Sequence, residues 1–338
     1  MLSPHRQPDL RNPIPQRITP RAVLTPEHRA RLAGHLTTRD RWIARMLAEH
    51  RVLSTTQITQ LAFPTRRATN LRLLQLYRWR VIDRFQPYIG AGRAPMHYVL
   101  DIAGAHTLAH EDGLDPTTLK FHPARSVGIA HSPRLAHTLG VNTLFTTLIQ
   151  HARTHPGSEL RAWWPETRCT TTWGDIVRPD SYGRWRDDGG EIEWFLEWDT
   201  GSYPLPRVAA KLADYARLAT TTTIITPLLL CLPTTRRETH ARTTLTQAIR
   251  ALPHPSQVPI ATTNTELLTN TNPAQAVWLP LNPTHPGRRP LTGLASQWPQ
   301  LTPLPPAPAL PGGVNPPGTL HHPAPMPPWQ DSDLRWAP

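Results

Sequence analysis

Acidic residues on either side of one tight turn define the chemistry most readily available to this chain. Asp188-Gly189 is a two-residue hairpin signal inside the segment 177–201, because glycine takes the positive φ that such turns need. Folding there sets Arg186 opposite Glu191, Arg184 opposite Glu193, Tyr182 opposite Phe195 and Asp180 opposite Glu197. Opposite charges and an aromatic pair then meet across the strands. Trp185, Ile192, Trp194, Leu196 and Trp198 share the other face as a core set, and a slip of one residue would turn the tryptophans outward. Asp180 and Glu197 become neighbours, their Cβ atoms about 5 Å apart, with Asp199 on the same face opposite Arg178.

Adjacent carboxylates repel unless a cation stands between them. A divalent ion, Mg²⁺ or Mn²⁺, takes such oxygen ligands and keeps waters for a phosphate group. It would polarise a phosphodiester and lower the pKa of an attacking water. The expected metal ligands are therefore Asp180, Glu197 and Asp199. Lys211, one of only two lysines, sits on the next predicted helix, where it would stabilise developing charge or orient the water. Glu166, in the WWPET run, is a further candidate carboxylate. Plain structural alternatives stand beside these roles: Asp199 paired with Arg178, Asp180 and Glu197 as a solvent-facing pair, Lys211 as a helix-surface lysine.

The elements that must position these residues read as an α/β domain over 131–281. Its periodicity gives a helix over 132–153, a strand near 159–164, the hairpin over 176–199 and a helix over 204–218. A buried β-branched strand over 224–232, a helix over 234–252 and strands near 258–262 and 276–281 complete it.

Residues 37–112 read differently. Trp42, Ile43, Met46 and Leu47 fall at helical spacing behind a cap at Thr38, and Ser54 to Gln57 opens a second helix that Pro64 ends. A third helix runs over 65–80, with Leu71, Leu74 and Tyr77 as its buried stripe and Arg66, Arg67, Thr69, Asn70 and Arg72 facing elsewhere. Two β-like runs follow, over 81–86 and 96–100, with Gly90 to Arg93 between them. Three helices and a basic-tipped hairpin make a winged helix-turn-helix, whose third helix would lie in the major groove of double-stranded DNA. Arg66, Arg67, Asn70 and Arg72 would then read bases or grip phosphate, and Arg93 would touch the backbone or minor groove.

Charge supports this division. The chain has 338 residues and a formal net charge of +12, and residues 1–112 hold 17 arginines against 8 acids. A polyanion partner for the N-terminal third follows. Residues 1–36 read as a disordered basic arm, 113–130 as a linker, and 282–338, which holds 16 of the 40 prolines, as a disordered tail. Two cysteines exclude a disulfide scaffold and a CxxC zinc site. The histidines show neither HExxH nor an HxxxH pair on a predicted helix, and no GxxxxGK[ST] or GxSxG motif is present. With no long apolar run and no secretory signal, a cytoplasmic protein without a membrane partner is expected.

Pro179-Asp180, the hairpin, and Glu197-Trp198-Asp199-Thr200-Gly201 resemble the PD-(D/E)xK nuclease superfamily, whose pattern is an acid followed by Glu/Asp-x-Lys on the next strand. More narrowly, residues 38–265 resemble the replication-relaxation family of plasmids and mobile elements. The EWDTG segment followed by Lys211 and Tyr215 carries most of that likeness, with His137, Asn142 and Glu166 also fitting. The resemblance implies a winged helix joined to a restriction-endonuclease-like α/β domain. It also implies a role in plasmid replication and DNA relaxation by nicking, alongside other replication or transfer proteins. One departure bears on catalysis: the usual lysine position is Asp199, so Lys211 would have to supply the ammonium from the helix. A non-catalytic DNA-binding replication accessory or regulator, with a degenerate nuclease fold, is the alternative.

Overall fold

The computed structural model describes residues 7–15, 19–89, 94–282 and 286–301. The fold is mixed α/β, with α-helices and three β-sheets. Two compact units divide between Thr146 and Thr147.

The first unit runs β1 (Arg11–Pro13), α1 (Pro26–His35), α2 (Thr38–His50), β2 (Leu53–Ser54), α3 (Thr55–Ala62), α4 (Arg66–Arg78), β3 (Ile82–Phe85), β4 (Pro87–Tyr88), β5 (His97–Leu100), α5 (Ile102–Glu111) and α6 (Pro123–Val127). β2, β5 and β3 form an antiparallel sheet, with Ile82 opposite Leu100 and Phe85 opposite His97. Short polar residues start the helices because their side chains satisfy orphan N–H groups. Ser54 and Gln57 form a capping box on α3, as its sequence implies. On α2 the cap is Thr37, one residue before the expected Thr38, because Asp40 completes a capping box there. Ile43, Met46, Leu47, Ile58, Leu61, Leu73, Leu76, Ile82 and Val99 are buried, and each such side chain contributes about 1.5–3 kcal/mol.

The buried stripe of α4 is Thr69, Arg72, Leu73 and Leu76, not Leu71, Leu74 and Tyr77, and Leu71 is 64% exposed. The helix is rotated from the expected setting because Asp40 on α2 draws Arg72 inward. In α5, a Cβ at Gly104 would fall 2.8 Å from Leu100 Cδ1 and closer still to the Val81 carbonyl oxygen. Only glycine lets α5 approach this closely.

The described part of the expected basic arm, residues 7–15 and 19–36, contributes structure instead. β1 pairs with β4, and Arg21 ties the segment down by pairing with Asp83, at 3.1 Å, and with buried Asp101. The expected linker over 113–130 carries α6 and buries Ile129 and Ala130.

α7 (Leu135–Ala152) leads into the second unit: β6 (Glu159–Pro165), α8 (Glu166–Trp173), β7 (Ser181–Asp187), β8 (Gly190–Trp198), α9 (Leu205–Ala210), α10 (Leu212–Thr222), β9 (Leu228–Leu232), α11 (Thr235–Arg250), β10 (Ile260–Asn264), α12 (Thr265–Leu268) and β11 (Leu279–Pro280). The six-stranded sheet has the order β11-β10-β9-β8-β7-β6. β6, β7 and β8 are antiparallel neighbours, while β8, β9 and β10 run parallel. Both faces of β8 are covered, since Phe195 packs with Leu212, Tyr215 and Leu230 while Trp194, Leu196 and Trp198 are buried on the other side.

The expected disordered tail begins too early. Leu291, Leu294 and Trp298 are buried, and the Arg288 guanidinium reaches buried Glu238 at 2.7 Å. A carboxylate buried on α11 needs such a partner, and the hydrophobic residues spaced among the prolines give the segment a core to join. Residues 302–338 lie outside the described residues.

Candidate functional site

The hairpin ladder is the expected one: Asp187 pairs with Gly190, Arg186 with Glu191, Arg184 with Glu193 and Tyr182 with Phe195. The ion pairs run diagonally instead. Arg184 bonds Glu191, Arg186 reaches Glu159 on β6 at 3.3 Å, and Glu193 accepts from the Tyr182 hydroxyl at 2.6 Å.

Register also explains how the acids gather. Pro165, Ser181 and Leu196 form one row across β6, β7 and β8. The next residue outward on each strand is Glu166, Asp180 and Glu197. Because the three strands alternate in direction, all three acids leave the same end of the sheet, with neighbouring strands about 4.8 Å apart. The ladder stops one pair short of Asp180. Its N–H donates to the Leu196 carbonyl at 3.1 Å, and its Oδ2 accepts the Trp198 N–H at 2.8 Å.

Glu197 is buried, and both its oxygens are engaged. The Lys211 ammonium donates to Oε2 at 2.5 Å and the Tyr215 hydroxyl to Oε1 at 2.7 Å. Lys211 stands where α9 meets α10, a break in what the sequence presents as one helix. The Lys211 ammonium pairs with Glu197, and both groups shift upward for different reasons. Burial and then Asp180 push Glu197 up to about 8, against the pull of Lys211 and Tyr215. Burial works to lower Lys211, but Glu197, Asp180 and Glu166 outweigh it and raise it. Burial and Glu197 hold Tyr215 protonated far above its ordinary range, and burial and Asp180 raise the Cys169 thiol.

Asp199 belongs to a different contact. It pairs with Arg237 rather than Arg178, and its Oδ1 accepts the Gly201 N–H at 2.8 Å. Arg178 instead donates to the Gly174 carbonyl at 3.3 Å. The residue missed in the sequence is Arg237, near the start of α11. Its signal is topological: in a parallel strand-helix unit, the helix after β9 begins at the carboxyl end of the strands, where β8 also ends.

Lys211 and Tyr215 hold both oxygens of Glu197, and Arg237 and Gly201 hold both oxygens of Asp199. Among the described residues, no three His, Cys, Asp or Glu side chains stand so as to hold a metal ion. The cation against Glu197 is the Lys211 ammonium. Two HxxxH spacings do occur, His106/His110 on α5 and His151/His155 at the end of α7. The His151 and His155 rings stack at 3.7 Å beside a cavity of about 340 Å³ that Asp187 also lines.

In the first unit, Arg66, Arg67 and Asn70 are exposed on α4. Arg72 does not join them. It is buried against Asp40, with Nε donating to Oδ1 at 2.8 Å and Nη2 to Oδ2. Arg93 lies outside the described residues. Asn142 is structural, donating to the Val52 carbonyl at 2.8 Å. Among the described residues, no helix is long and apolar enough to cross a membrane.

No curated protein and no solved structure is detectably similar to the chain. The replication-relaxation family model matches residues 45–227, which take in α4, the row of acids, Lys211 and Tyr215. That match spans more than half of the sequence, so the chain belongs to the replication-relaxation family, which ties it to a replication-related function.

Proposed function

We propose that the chain is a double-stranded DNA-binding replication protein of plasmids or other mobile elements. In this reading a winged helix grips the duplex, and the second unit has a PD-(D/E)xK-like fold. The observation that carries it is the outward face of α4, where Arg66, Arg67 and Asn70 are exposed on a helix without a single acid. The order α2, α3, α4 and then the β3–β5 pair supports the winged-helix assignment. Arginine and asparagine near the start of such a helix suit guanine and adenine edges. Arg67→Ala/Asn70→Ala should weaken binding to the cognate duplex about 5- to 100-fold, as expected for losing a bidentate base contact. It should also reduce the salt dependence of binding. Unchanged affinity in fluorescence polarisation would sink the reading.

Glu197 already paired with Lys211 and Tyr215 favours a non-catalytic accessory as the first reading of the second unit. Strand cleavage is the second, and Glu197 favours it. A carboxylate buried beside Asp180 is costly to ionise, and such perturbed groups collect at working sites. Supercoiled plasmid, incubated with and without Mn²⁺, separates the two. Open circles that require both Mn²⁺ and an intact Glu197, tested against Glu197→Gln, support cleavage. Their absence leaves the binding role.

A further inference from the structure

The loop between β8 and α9 is used by neither reading, yet it is firmly held. Arg237 pairs with Asp199 at one end and donates from Nη2 to the Tyr203 carbonyl at 2.6 Å near the other. Asp199 also accepts the Gly201 N–H, and the Thr200 and Ser202 hydroxyls lie 2.9 Å apart. The ring presented by this braced loop is not packed away: Tyr203 is 53% exposed. The Arg207 guanidinium lies over it, 4.3 Å from the ring centre.

An exposed aromatic plane on a braced backbone, with a guanidinium beside it, matches the chemistry of single-stranded nucleic acid. The ring offers a face to an unpaired base, and the guanidinium serves both the π-system and a phosphate. Bases inside a duplex offer no such free face. The location fits DNA handling, because Arg207 lies one helical turn before Lys211. Resting on the DNA-binding reading, we infer that Tyr203 and Arg207 form a stacking site for an unpaired nucleobase. The second unit then takes single-stranded DNA, such as a strand opened near the duplex that α4 grips.

Three probes test this with the full chain: oligothymidylate, an abasic oligomer of equal length, and the cognate duplex. The native chain should prefer oligothymidylate to its abasic counterpart. Tyr203→Ala should lose about 5- to 100-fold in affinity for oligothymidylate, the usual range for one stacked base, and with it that preference. Tyr203→Phe should keep both, and duplex affinity should be equal in all three proteins. The inference falls if Tyr203→Ala binds oligothymidylate like the native chain, if the native chain ignores the bases, or if duplex affinity drops in parallel. Failure of the native chain to bind the duplex at all would instead count against the DNA-binding reading, and the duplex titration reads that separately.

Discussion

Replacing Arg72 with methionine should unfold the protein more than it loosens its hold on DNA. Arg72 and Asp40 join α4 to α2, and their side chains are 9% and 1% exposed. Asp40 also accepts the Thr37 N–H at 2.8 Å and the Thr37 hydroxyl at 2.7 Å, so it cannot leave without uncapping α2. Methionine keeps roughly the length of the side chain but leaves the carboxylate buried without its cation. Breaking a buried pair on one side costs about 3–5 kcal/mol. For a unit of this size each kcal/mol lowers Tm by about 2–4 °C, so a fall of about 6–20 °C is expected. Arg72→Met/Asp40→Asn should recover much of that loss, because neither charge is then stranded, and a double-mutant cycle measures the coupling. Differential scanning calorimetry and duplex binding, run below the lowered Tm, check both halves. If Arg72→Met melted like the native chain while losing the duplex, the rotation assigned to α4 would be wrong and Arg72 would belong with the base-reading residues.

Gly104→Ala should destabilise the first unit by several kcal/mol, since its methyl would run into the Val81 carbonyl and Leu100. A chemical-denaturation midpoint equal to that of the native chain would contradict the packing of α5. Glu197 predicts a pH dependence of opposite sign to that of an ordinary paired acid. Burial and Asp180 raise its folded value to about 8 from an ordinary 4.5, so the folded chain holds a proton that the unfolded chain has lost. Stability should therefore fall as pH rises through that window, and Glu197→Gln should flatten the slope. Urea midpoints at both ends of the window test this, and parallel profiles for the two proteins would refute it.

The hairpin was legible because everything that fixes it is local. A two-residue turn and strict alternation set the register, and the register alone puts Asp180 beside Glu197. Glu166 joins them only through the pairing of β6 with β7, which no local pattern announces, so the row of acids appeared in the sequence as two residues and a stray. The arginines show the same limit more sharply. A helical pattern marks where a charged residue stands along a face, but not whether a carboxylate elsewhere has claimed it. Arg21, Arg41, Arg45 and Arg72 all pair with acids of the first unit, whereas Arg66 and Arg67 make no ion pair among the described residues. The count of 17 arginines over residues 1–112 thus overstates what is left for DNA. A buried arginine opposite an aspartate contributes nothing to the field outside, while two exposed ones at the head of α4 act with nearly full charge. Affinity should accordingly follow Arg66 and Arg67 rather than the total, which is why the salt dependence of binding, and not the net charge, measures how much of this arginine reaches the duplex.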